Sequence, residues 1–99
     1  MNIEYQVYET EVYTKWYSSL RDERAKARID KRIDRAKHGN FGDWKTEAGE
    51  VKAMRIDYGP GYRLYYVIRD NRIIILLCGG DKRNQEADIN KASYLAEEV

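Results

Sequence analysis

The single proline of the chain, Pro60, stands between two glycines and between two runs of alternating character, "VKAMRIDY" and "YRLYYVIR". Proline presets its own φ, and glycines on either side accept the positive φ values that a tight reversal needs, so Gly59-Pro60-Gly61 reads as the loop of a β-hairpin. As a three-residue loop it sets Tyr58 opposite Tyr62, Asp57 opposite Arg63, Ile56 opposite Leu64 and Arg55 opposite Tyr65. Each pair then shares a face, as an antiparallel ladder requires. The apolar pairs go to the core. Arg55, Asp57, Arg63 and Tyr65 are left together on the opposite face.

The remaining elements follow from periodicity. Ile3, Tyr5 and Val7 alternate in a first strand, and Thr10 offers a capping hydroxyl with Glu11 in the first turn beyond it. Tyr13, Trp16, Tyr17 and Leu20 recur at helical spacing, giving a helix that ends near Ser19. In "RDERAKARIDKRIDRAKHG" a narrow stripe of Ala25, Ile29, Ile33 and Ala36 marks a second helix, which Gly39 ends. "NFGDWKTEAGE" reads as a loop. Beyond the hairpin, Asp70-Asn71 turns the chain into "RIIILLC", apolar on both faces and therefore an inner strand. After Gly79-Gly80, Asp81 or Asn84 caps a final helix carrying Ile89, Ala92, Leu95 and Ala96. The order is β-α-α-β-β-β-α: an α+β domain with a mainly antiparallel four-stranded sheet, its helices on one side and the first two forming a hairpin.

Ninety-nine residues of this composition, 42% hydrophobic, suit one domain with its own core. Basic and acidic residues number 18 and 17, so overall charge selects no partner. Their distribution is uneven. Residues 21–38 hold eight bases against four acids and residues 51–83 hold seven against three, which suits an anionic partner. The lone cysteine, Cys78, allows no internal disulfide and sits in an apolar run as a small buried hydrophobe. The acidic, alternating start is unlike a signal peptide, and the longest apolar run is too short to span a bilayer, so a cytoplasmic location is expected. Neither a metal cluster nor a nucleotide-phosphate loop can be found, and no cofactor is expected. His38, the one histidine, falls at the end of the second helix, where a cation is favoured.

Two glycines deliver Lys82 and Arg83 from the end of the last strand towards the same face as Arg55, Arg63 and Tyr65. Arginines beside a tyrosine suit phosphate contact and base stacking. The plain alternative is a solvated face with cross-strand charge pairs.

"GPGYRLYY" followed by "CGGDK" resembles the RelE/ParE toxin superfamily, in its HigB-like addiction-module branch, and the likeness runs nearly the whole chain. It implies a RelE-like fold and the toxin half of a bacterial toxin–antitoxin pair. Such toxins cut mRNA on the translating ribosome without a metal, by attack of the ribose 2′-hydroxyl on the adjacent phosphate. Their partner is a small antitoxin, in this branch often of helix-turn-helix type. By the same resemblance Arg63 contacts the scissile phosphate, and Lys82-Arg83 is the basic pair of the transition state. Relatives carry a tyrosine shortly after that pair, whereas "NQEADI" has none; Tyr65 and Tyr94 are the stand-ins at hand. The expected roles are charge stabilisation by Arg63 and Arg83, substrate positioning by Arg55 and Tyr65, and proton transfer by Lys82, crowded by arginines. ParE-type members share the fold but inhibit DNA gyrase, which leaves a non-nuclease toxin as the alternative. A bare interaction module with a solvated patch is a third reading.

Overall fold

Thr10 does what its position suggests: its hydroxyl accepts the Tyr13 N–H at 3.1 Å, ending strand β1 (Gln6–Glu9) and starting helix α1 (Glu11–Ser19). A computed structural model describes residues 3–99. Helix α2 (Glu23–Lys37) is capped by Asp22, whose carboxylate accepts the Arg24 and Ala25 N–H groups. It ends at His38, followed by Gly39 with φ of 88°. Strands β2 (Trp44–Ala48), β3 (Val51–Ile56), β4 (Tyr62–Arg69) and β5 (Ile73–Asp81) follow, then a short 3-10 turn and helix α3 (Gln85–Glu98).

The sheet has five strands in the order β1-β5-β4-β3-β2, with β1 parallel to β5 and every other pair antiparallel. The expected count of four is corrected by β2, which lies inside the stretch read as a loop. It pairs with β3 at the sheet edge and is mostly exposed, so its residues show no apolar alternation that would announce a strand.

A second correction concerns the layers. Tyr13 of α1 and Ile29 and Ala36 of α2 pack with Met54, Ile56, Leu64, Tyr66, Ile74 and Leu76 on one face. Ala92 and Ala96 of α3 pack with Val51, Ala53, Tyr65, Val67, Leu77 and Cys78 on the other. The helical hairpin occupies one face as expected, but the helices are not all on one side. Strands apolar on both faces need cover on both. The face expected to be open therefore lies partly beneath α3.

The hairpin register is corrected too. Ile56 pairs with Tyr62 and Arg55 with Arg63, leaving residues 57–61 as the connection. The slip from the expected pairing is two residues, and a slip of two keeps every side chain on its face. Gly59 and Gly61 adopt φ of 58° and 80°. The next reversal places Asp70 and Asn71 at φ of 54° and 53°, closed by the Arg72 N–H on the Arg69 carbonyl at 3.0 Å.

Between β4 and β5 the register shifts, with Tyr65 opposite Cys78 but Tyr66 opposite Leu76. Leu77 is the extra residue of a bulge, and it reverses the alternation of everything after it. Downstream, Gly79 faces Trp16 of α1 and Gly80 faces Asp88 of α3.

Arg32, one of the bases of α2, has a structural task. Its guanidinium donates to the carbonyls of Phe41 (3.0 Å), Asp43 (3.1 Å) and Arg55, tying α2 to the approach to β2 and to β3. Burial works against its charge, and the Asp43 carboxylate favours it. Arg32→Ala strands these carbonyls together, and we expect it to lower stability by about 3 kcal/mol in urea unfolding. A change of only a few tenths would mean that the carbonyls are served by water.

Candidate functional site

Gly61 brings the two ends of the hairpin motif and the basic pair together. A side chain there would meet the Lys82 Cβ at 3.5 Å and Arg63 Nη1 at 3.8 Å, and the Lys82 N–H points at the Pro60 carbonyl at 3.4 Å. Residues from "GPGYR" and "CGGDK" thus converge on one corner of the sheet. Arg63 Nη1 donates to the Gly61 carbonyl at 3.2 Å, which fixes the guanidinium at the sheet end.

Asp81 shapes the other side of the corner. It caps the 3-10 turn (Lys82–Asn84) by accepting the Arg83 N–H at 2.9 Å, and it also accepts Arg83 Nε and Nη2 at 3.2 and 2.9 Å. The bond from the Arg83 side chain holds its carboxyl below the usual carboxylate range. Arg83 is otherwise exposed. Of the two candidate caps for the last helix, Asp81 caps the 3-10 turn, and Asn84 stands at the start of α3 without a side-chain capping bond.

The structure separates the other expected contributors. Arg55 shares the face of Arg63 and stands directly opposite it, but its guanidinium is drawn to Asp43 Oδ1 at 2.6 and 3.2 Å. Asp57 lies in the exposed turn. Tyr65 is fully buried under α3, and burial pushes its phenol up to about 12, so it presents no ring for stacking. Tyr94, at 65% exposure, projects from α3 on the side away from Ala92 and Ala96. Arg83 turns to Asp81 and Arg55 to Asp43, so the exposed Lys82 has Arg63 beside it rather than the crowd of arginines expected. The corner is therefore Arg63 and Lys82, flanked by an Arg83 that can exchange its carboxylate for a phosphate.

Neither Glu47 nor Asp88 stands out in the sequence, yet both have a sealed carboxylate oxygen. Beneath α3, Arg63 Nε, Tyr65 Oη, Glu47 Oε1 and Asp88 Oδ2 are sealed from solvent with no hydrogen-bond partner among the described residues. The twin glycines were the available signal, since a glycine in a strand marks something lying close upon it. Among the described residues, no group of three or more His, Cys, Asp or Glu is placed to hold a metal ion. None of the described helices is long and apolar enough to cross a membrane.

No family model matches the chain. An uncharacterized protein of Haemophilus influenzae is 45% identical to it over 94 residues, which cover 95% of each. The chain belongs to that protein's family. A chain of the crystal structure of the toxin–antitoxin complex RelBE2 from Mycobacterium tuberculosis superposes with a TM-score of 0.62 and 17% identity. The match covers 81% of this chain and 93% of that one, and the shared architecture is the RelE-like fold. For the family of the Haemophilus protein, the architecture is thus a five-stranded mixed sheet with helices on both faces.

Proposed function

We propose that this chain is the toxin of a toxin–antitoxin pair and cleaves mRNA on the ribosome, in the HigB-like manner that its motifs resemble. The observation that carries the reading is the convergence of Lys82 and Arg63 on the space left by the missing side chain of Gly61, which assembles two sequence-distant motifs into one cationic corner. In-line attack of a ribose 2′-hydroxyl builds charge on the phosphate oxygens. Arg63, held by its bond to the Gly61 carbonyl, and the exposed Lys82 beside it suit that developing charge, and Arg83 can join them from Asp81. Arg55 lies across from Arg63 and suits contact with a neighbouring phosphate. A cognate antitoxin, of helix-turn-helix type, completes the proposal, and the fold's likeness to a chain of a toxin–antitoxin complex supports it.

The expected products follow from the residues. Cleavage by the 2′-hydroxyl leaves a 2′,3′-cyclic phosphate and persists in EDTA, because the residues of the corner supply charge without a metal-binding set. Primer extension on cellular mRNA after induction should show cuts in phase with codons. A 5′-phosphate product that requires magnesium would overturn the mechanism. Unbroken mRNA with altered plasmid supercoiling would instead favour the gyrase-directed alternative.

A further inference from the structure

Three of the four sealed atoms beneath α3 have their groups accounted for. The Arg63 guanidinium is engaged through Nη1 with the Gly61 carbonyl, Glu47 has the Lys45 ammonium at 3.4 Å, and burial keeps the Tyr65 phenol protonated. Asp88 is different. Among the described residues its Oδ2 is sealed with no hydrogen-bond partner.

Its position is set by an absence of side chain. A Cβ built on Gly80 would fall 1.9 Å from Asp88 Oδ2 and 2.7 Å from its Cγ, so the carboxylate occupies the place where residue 80 would carry a side chain. Gly80 pairs with Arg63. Side chains directly opposite in an antiparallel pair stand about 5 Å apart at Cβ, so the carboxylate lies about that far from the root of Arg63. The guanidinium runs on from that root to Gly61 and Lys82. A phosphate bound at Arg63 therefore lies beside the strand position that Asp88 covers.

We infer that Asp88 is the catalytic base of this corner, taking the proton of the attacking 2′-hydroxyl. The inference rests on the ribonuclease reading above. In the step, the O2′–H bond breaks and its proton passes to the Asp88 carboxylate as O2′ bonds to phosphorus. The P–O5′ bond breaks with its electron pair on O5′, which takes a proton from Lys82 or water. Asp88 then returns its proton to solvent.

The surroundings suit the task. Burial raises the proton affinity of Asp88, Lys91 opposes that, and Asp81 adds to it. The other groups facing this space are Arg63 and Tyr65 of β4, Glu47 of β2 and Cys78 of β5, whose Sγ lies 3.7 Å from the Asp88 carbonyl. A base poised above the usual carboxylate range transfers protons more effectively near neutral pH.

The test uses the full chain on mRNA-programmed ribosomes in EDTA, with single-turnover cleavage followed against pH. Asp88→Asn keeps the shape over Gly80 and should cut about 10³-fold more slowly, with the rise in rate from acid pH abolished. Arg63→Ala should also be slow but should retain that rise. Asp88→Asn cleaving at the wild-type rate with the rise intact overturns the inference and leaves the ribonuclease reading standing. A wild type that arrests growth but cuts no RNA overturns both. A further check needs no variant: the ¹³C titration of the wild-type Asp88 carboxyl should coincide with the acid limb of cleavage, and a mismatch overturns the assignment.

Discussion

Arg63→Ala is expected to abolish growth arrest on induction while the purified protein stays folded. Arg63 is partly exposed on β4: Nε is sealed, but Nη1 reaches the Gly61 carbonyl at the sheet end, so the substitution removes no apolar group of the core. What disappears is a fixed cation on the α3 side of the sheet. Loss of one such preorganised donor lowers turnover about 10²- to 10³-fold. Arg63→Lys should recover little of this, since an ammonium cannot reproduce the planar fork of a guanidinium. The readouts are colony counts on induction and a thermal melt of each variant. Full toxicity of a folded Arg63→Ala protein would move the site elsewhere on the molecule.

Gly79→Ala is expected to have the largest effect on stability. A Cβ there would lie 2.2–2.5 Å from three atoms of the Trp16 ring. The indole cannot simply step aside, because Tyr13 and Tyr62 pack against it at centroid distances of 5.6 and 6.2 Å. Strand or helix must shift, and overpacking of this kind costs about 3 kcal/mol. For a domain of this size, that lowers the melting temperature by roughly 15 °C. Calorimetry decides the matter. An unchanged melt would show that Trp16 is free to leave Gly79.

In the sequence alone the twin glycines are a stretch without bulk that leads to the basic pair. Structurally they serve two different neighbours, an indole on one face and a carboxylate on the other. Which glycine meets which neighbour depends on the Leu77 bulge, and a bulge within an unbroken apolar run leaves no mark on periodicity. Where local chemistry decided the outcome, the sequence was legible: the Thr10 cap, the Ala25-Ile29-Ala36 stripe, and the Asp70-Asn71 turn. The hairpin slipped by two residues, yet its faces survived because alternation has a period of two. Strand β2 stayed hidden because an exposed edge strand needs no apolar pattern. The placement of α3 was missed because its buried contacts are the small Ala92 and Ala96, which advertise little. Of the site, Arg63 and Lys82 were visible as charge beside glycine. Asp88 was not, since only the fold lays it over Gly80.

The parallel pairing of β1 with β5 sets an order of assembly. The Thr10 hydroxyl that donates to the Leu77 carbonyl bridges a separation of 67 residues, whereas β4 and β5 are joined by a tight turn. Closing the longer loop costs about 3 kcal/mol more chain entropy than closing the turn. Such distant pairings form late. The β3-β4-β5 meander can assemble first, and Arg63, Lys82 and the two glycines belong to it or to its end. The N-terminal strand is therefore expected to dock onto a sheet that already holds Arg63, Lys82 and the two glycines.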